Sequence, residues 1–167
     1  KKNRLKINSN SINYNINNRI IISEENSEII DRFENTYSIK EFEYSIDNRV
    51  IKLKTIKVLD INKNTFISDL AYLDLNKNEL VAKDISLNFQ ASTGTENEPR
   101  LKGKSLVSDE KNTIVEKGTF TLCKKREKCP PWEMSAEEIK HDKQKKTIYY
   151  KNASLKLYDK KVFYFPK

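Results

Sequence analysis

Two cysteines and one histidine are the only thiols and imidazole in the chain, and their placement limits the chemistry it can do. Cys123 and Cys129 flank five residues rich in charge, ahead of Pro130-Pro131. A disulfide between them needs an oxidising compartment, and it would contribute roughly 2 kcal/mol before the strain of so short a loop is subtracted. Zinc takes about four ligands, more than two cysteines and one histidine supply, so no metal site is expected. His141 lies in the turn-like run Lys140-His-Asp-Lys143 and reads as a solvated imidazole. No base stands beside a nucleophile, no glycine-rich phosphate loop is present, and the carboxylates are scattered through turns and polar faces. The chain is therefore read as a non-enzyme with no cofactor.

The elements that would position these residues are strands. The chain has 167 residues, enough for one domain, and 37% of them are hydrophobic, which implies a thin interior. Apolar residues alternate with polar ones: Ile51 and Leu53, then Ile56 and Val58, between lysines, and Val81, Ile85, Leu87 and Phe89 in the next run. Period two belongs to a strand, with Val81, Lys83, Ile85, Leu87 and Phe89 expected on one face and Ala82, Asp84, Ser86 and Asn88 on the other. Asp47-Asn48, Asn62-Lys63-Asn64, Asn76-Lys77-Asn78, Asp109 to Asn112 and Asp142-Lys143 supply turns, because Asx side chains close them and Asn tolerates a left-handed backbone.

The hairpins also repeat. Val81-Ala-Lys-Asp-Ile-Ser-Leu, Val115-Glu-Lys-Gly-Thr-Phe-Thr and Tyr149-Tyr-Lys-Asn-Ala-Ser-Leu start 34 residues apart, which predicts a short solenoid-like stack of antiparallel hairpins. Ala91 to Pro99 reads as an exposed insertion. Ser135 with Glu138 could cap a helix, but the repeat places a strand over Ser135 to His141. No apolar run approaches the length of a membrane helix and no signal peptide is seen, so the chain is expected to be a piece of a longer protein.

A formal charge of +8 spread as single lysines reads mainly as a solvated face. A basic β module for an acidic polymer is the alternative of a different class, with Tyr149-Tyr150-Lys151 and Tyr158 to Tyr164 as its aromatic and basic groups. Trp132 and the Phe163-Tyr164-Phe165 run read either as a plug on the sheet end or as anchors at a bilayer interface.

Pro99-Arg-Leu-Lys-Gly103, Lys117-Gly-Thr-Phe120, Cys123, Cys129-Pro-Pro-Trp132, Ala136-Glu-Glu-Ile139, His141-Asp142, Tyr150-Lys-Asn-Ala153 and Val162 to Pro166 resemble, in this order, the periplasmic domain of the LPS-assembly family LptD. Residues 1–97 resemble only the general repeat of LptA/OstA-type domains, so an LptA- or LptC-like protein is the runner-up. The resemblance implies one all-β domain over residues 1–167, a β-jellyroll of facing antiparallel sheets open along one side as a lipid trough. It implies lipopolysaccharide as cargo, an LptA-like bridge protein paired edge to edge, an LptE-like lipoprotein acting through a membrane barrel beyond this domain, and the periplasmic face of the outer membrane as location. Nucleic acid is not an expected partner.

Carried onto this chain, the resemblance makes Ile51, Leu53, Val81, Ile85, Leu87, Phe89, Phe120, Leu122, Leu155 and Leu157 trough candidates. It makes Trp132, Phe163, Phe165 and Pro166 barrel-proximal candidates. It also implies that Cys123 pairs with a barrel cysteine, which leaves the local Cys123–Cys129 bridge as a competing reading. Cys129 departs from some relatives, and a second, N-terminal family cysteine has no counterpart here.

Overall fold

A computed structural model describes residues 6–30, 34–90, 98–124, 131–158 and 160–166. The first five strands are β1 (Lys6–Ser9), β2 (Asn13–Asn15), β3 (Ile20–Ser23), β4 (Ser27–Ile30) and β5 (Thr36–Ser45). β6 (Val50–Leu59), β7 (Thr65–Asp74), β8 (Glu79–Asn88), β9 (Arg100–Ser108) and β10 (Asn112–Thr121) follow. β11 (Trp132–Asp142), β12 (Thr147–Lys151), β13 (Ala153–Leu157) and β14 (Lys160–Phe165) complete the chain. All belong to one antiparallel sheet that does not close into a barrel, and no helix occurs among the described residues. The all-β expectation holds, and Ser135 lies in β11 rather than at a helix cap.

A single sheet has two solvated faces unless something covers one. Here Ala71 is 0% exposed and Ile56 1%, although no second layer is present among the described residues. The cover is the sheet itself, folded along a crease that crosses strands β5 to β11 at mid-length. Thr55, Asp84, Lys117 and Asn152 mark it, with φ of 50°, 52°, 50° and 50°. One left-handed residue inside a strand turns the chain and reverses the alternation of side chains, so the buried positions fall three apart instead of two. Leu53 and Ile56, Ala82 and Ile85, Val115 and Gly118 flank the crease in this way; on the alternate strands Ile39 and Phe42 or Ala136 and Ile139 are also three apart, with no positive φ between them.

Along the crease the ladder skips one or two pairs per strand, between Glu41–Lys54 and Ile39–Ile56 for example, and then resumes without a change of register. At the edges the strand breaks outright. β3 and β4 both pair β5, on opposite sides of the crease, and β12 and β13 both pair β11. Two walls result. The long wall runs β1-β4, one half of β5 to β11, then β13-β14; the short wall runs β2-β3, the other half of β5 to β11, then β12.

The vertex is packed by complementary sizes. On β9 to β11 the short wall supplies Val115 and Ile139, and the long wall answers with Gly103, Gly118 and Ala136. A Cβ on Gly118 would stand 2.5 Å from Ile139 Cδ1, and one on Gly103 would overlap Val115 Cγ1. On β8 the sizes are exchanged, with Ala82 on the short wall and Ile85 on the long one, and on β7 both vertex residues, Ala71 and Ser68, are small. Ser68, fully buried, is tolerated there because its Oγ donates to the Lys83 carbonyl at 2.6 Å.

The hairpin turns fall where Asx residues predicted them. Asp74 Oδ1 accepts from the Asn76 and Lys77 amides (2.8 and 3.0 Å), Asp109 Oδ1 from Lys111 and Asn112 (2.7 Å each), and Asp142 Oδ1 from Gln144 and Lys145 (3.1 and 2.9 Å). All lie on the short wall's rim. Each carboxylate is held below its ordinary pKa, mainly by these backbone N–H donors. Left-handed residues in the hairpin turns include Arg19, Arg49, Lys63, Asn78 and Lys146.

Two readings need correction. The three repeats do not align at a constant 34, because crease residues Asp84, Lys117 and Asn152 are 33 and then 35 apart. β9 and β10 are one residue shorter between turn and crease, so Val115 faces in while Val81 and Tyr149, its expected equivalents, face out. The second correction is Val81 itself, which is 39% exposed on the outer face beside Lys83, while Ala82 is 3% exposed inside. Asp84 reverses the alternation between Ala82 and Ile85, so Val81 does not share the face of Ile85. The insertion expected over Ala91 to Pro99 lies mostly outside the described residues; the Phe89 amide donates to the Pro99 carbonyl at 2.9 Å.

Candidate functional site

Beyond the packed vertex the walls part, and the inward side chains line a trough. On the long wall these are Tyr37, Val58, Phe66, Leu87, Leu101, Phe120, Met134 and Leu155, one from each successive strand. All eight are half-buried, and no charge interrupts the row. Each sits three residues from its crease position, which is why the same face of every strand reaches the same depth. Phe163 of β14 pairs with Leu155 and extends the row.

The short wall is different. It presents Tyr44, Ile51, Leu73 and Leu80 on β5 to β8, then Ser108, Thr113 and His141 on β9 to β11. The hydroxyls of Ser108 and Thr113 are 2.9 Å apart, and Lys143 Nζ donates to Ser108 Oγ at 3.0 Å. Burial lowers the Lys143 amine below its ordinary value, against the opposing pull of Asp109. The trough is thus apolar on both sides in its N-terminal half. In its C-terminal half it is apolar on the long wall and polar on the short one.

Of the trough candidates, Leu87, Phe120 and Leu155 lie in the long-wall row, and Ile51 lies in the short-wall row at 4% exposure. Leu53 and Ile85 are at the vertex, 2% and 3% exposed, and belong to the fold's own core. Phe89, Leu122 and Leu157 follow at the long wall's rim, where Leu157 pairs with Trp132. Trp132 packs edge-on against Phe120, with ring centroids 6.4 Å apart. Phe163 and Phe165 stack on β14 at 6.4 Å, 61% and 55% exposed, and Pro166 is exposed just beyond them.

The long-wall residues Tyr37, Val58, Phe66, Leu101 and Met134 were not among the sequence candidates. Their signal was present as the apolar position two beyond each vertex residue, readable only once the crease is located.

Cys123 is half-buried, with Sγ 3.7 Å from the Trp132 carbonyl oxygen. Cys129 lies outside the described residues, so the local bridge is neither seen nor refused. The neighbouring backbone is fixed by Thr121 Oγ1, which donates to the Trp132 carbonyl at 2.7 Å and accepts from the Cys123 amide at 3.1 Å. His141 is exposed, as expected. Among the described residues no three His, Cys, Asp or Glu side chains converge as metal ligands.

At the N-terminal end the vertex is polar. The hydroxyls of Ser9, Ser23 and Ser27 lie 2.8 to 3.1 Å from one another, and those of Ser23 and Ser27 lie 3.2 and 3.0 Å from the Glu25 carbonyl, so three protons are shared among these contacts. Comparison with known proteins finds no family model that matches the chain and no curated protein that matches it.

Proposed function

We propose that the trough carries the acyl chains of lipopolysaccharide, and that the chain is the periplasmic domain of an outer-membrane LPS translocon of the LptD type. The uninterrupted apolar row from Tyr37 to Leu155, extended by Phe163, supports this reading. Each acyl CH₂ removed from water contributes about 0.8 kcal/mol. A row without a polar station offers that gain equally at every step, so a chain slides rather than docks. The polar C-terminal half of the short wall, with Ser108, Thr113 and Lys143, gives hydroxyl and ammonium donors to a headgroup while its tails stay on the long wall. Delivery by an LptA-like bridge protein and onward passage toward an LptE-plugged barrel complete the proposal. They rest on the sequence resemblance described above.

Photo-crosslinking tests it. A photoreactive residue at Leu87 or Phe120, on the inner face, is expected to capture lipopolysaccharide in cells. One at Ser86 or Lys102, on the outer face of the same strands, is expected to capture none. Equal capture from both faces, or capture from the outer face alone, overturns the reading.

A further inference from the structure

Three inward positions of the short wall, in register with one another, carry Ser108 of β9, Thr113 of β10 and His141 of β11, and Lys143 reaches Ser108 from the turn that follows β11. Its ammonium donates to Ser108 Oγ at 3.0 Å and to the Asp109 carbonyl. An ammonium has three protons and both of these acceptors are neutral, so one N–H is unspent and the charge is not matched by a contact. Among the described residues no carboxylate stands within ion-pair distance of Lys143. Asp109, whose carboxylate acts on Lys143 from farther off, turns its Oδ1 to the Lys111 and Asn112 amides of its own turn.

The hydroxyls leave a donor as well. Ser108 Oγ and Thr113 Oγ1 are 2.9 Å apart and make one bond, which uses one of their two protons whichever group donates. One hydroxyl proton therefore remains. His141, exposed beside Thr113, adds an imidazole N–H in either of its neutral tautomers. An ammonium, a hydroxyl and an imidazole donor set about one positive charge call for an anion rich in acceptor oxygens, and a phosphate group has three where a carboxylate has two. On the same three strands the long wall presents Leu101, Phe120 and Met134.

We propose that Ser108, Thr113, His141 and Lys143 form a binding site for the phosphate group of a phosphorylated amphiphile whose hydrocarbon lies on Leu101, Phe120 and Met134. The proposal rests on the trough being a path for hydrocarbon, and it puts one stop on that path. The long wall holds a tail equally well at each strand, whereas the cluster holds a phosphate only at β9 to β11. Although its amine is partly covered, Lys143 as a whole is exposed. The site therefore contributes a preference of about threefold rather than the bulk of the affinity.

The test titrates the whole chain with decyl phosphate and with uncharged decyl maltoside, both below their micelle concentrations, and reads the ratio of the two affinities. Lys143→Gln is expected to lower that ratio about threefold, and Lys143→Arg, which keeps the charge, to preserve it. In nuclear magnetic resonance spectra of the unsubstituted chain, the amides of Ser108, Thr113 and His141 are expected to shift further with decyl phosphate than with the maltoside. Inorganic phosphate at the same concentration is expected to move none of them, and shifts equal to those of decyl phosphate assign the cluster to free phosphate and overturn the lipid source. An unchanged ratio in Lys143→Gln, with both amphiphiles bound, overturns this site and leaves the hydrocarbon path standing. Binding of neither amphiphile overturns the path and the site together. Where Lys143→Gln fails to fold, the resonances decide, since equal shifts from the two amphiphiles overturn the site.

Discussion

The two walls of the folded sheet are made of the same strands, yet they differ in what they show the trough. The long wall is apolar from Tyr37 to Phe163, whereas the short wall changes from Leu80 to Ser108 between adjacent strands. Hydrogen bonding and register are continuous through that change, so the backbone does not cause it. What differs is which residue stands two positions beyond the vertex, and this teaches that the sheet is a neutral frame on which each wall is written separately. One wall suits hydrocarbon along its whole length, and the other divides into an apolar and a polar half.

The largest expected effect sharpens this contrast. Phe120→Asp places an unpaired carboxylate in the long-wall row, and under the proposed function lipid binding is expected to fall by about a hundredfold or more. Thr113→Asp, on the short-wall half of the same strand, is expected to change it less than about threefold, because that site is already polar. Isothermal titration of both variants with a lipopolysaccharide micelle checks the pair, and equal losses would erase the distinction between walls.

The next prediction concerns the vertex that joins them. Gly118→Ala brings a methyl against Ile139 Cδ1, and overpacking of this kind is expected to cost about 1–3 kcal/mol in urea unfolding. Ile139→Val in the same chain is expected to return part of that cost. A double-mutant cycle with no coupling would mean that the walls do not interlock here.

A smaller and opposite effect is expected at the crease itself. Thr55 is β-branched at φ 50°, a conformation that costs a non-glycine residue about 1 kcal/mol or more, and Thr55→Gly is expected to stabilise the fold by up to about 1 kcal/mol. Destabilisation on thermal melting would show that Thr55 is held by contacts that outweigh its strain.

The smallest effect separates the rims. Asp74, Asp109 and Asp142 on the short wall's rim have lowered pKa values in the folded state, so their contribution is fully present above the unfolded carboxylate range near pH 4. It is lost as pH falls through the folded values. The turns of this rim are expected to open first on acidification, seen as faster amide exchange at Asn76, Lys111 and Gln144. Asp109→Asn is expected to remove that pH dependence at its own turn only.

Much of this architecture was legible beforehand. The Asx turns follow from side-chain chemistry, the strands that carry Ile51 and Leu87 from period two, and the strand over Ser135 to His141 from the repeat. The crease was not foreseen, although the sequence carries it as paired polar residues between apolar ones: Lys54-Thr55, Lys83-Asp84, Glu116-Lys117, Glu137-Glu138 and Lys151-Asn152. Strict alternation carried through Lys83-Asp84 puts Val81 on the wrong face. A left-handed Thr or Lys leaves little local trace, since neither residue type favours that conformation. It is the fold that imposes it, because only the reversal lets both halves of every strand turn their apolar side inward.

The line of skipped ladder pairs gives the molecule a spine, as a book has one. Across it, the pages are joined by covalent backbone and by the interlocked side chains of the vertex, while within each page hydrogen bonds hold neighbouring strands in step. The crease therefore runs as one line through all the crossing strands, marked on β6, β8 and β10 by a single left-handed residue each. Within that frame the side chains of each wall can differ freely without disturbing the ladder that carries them.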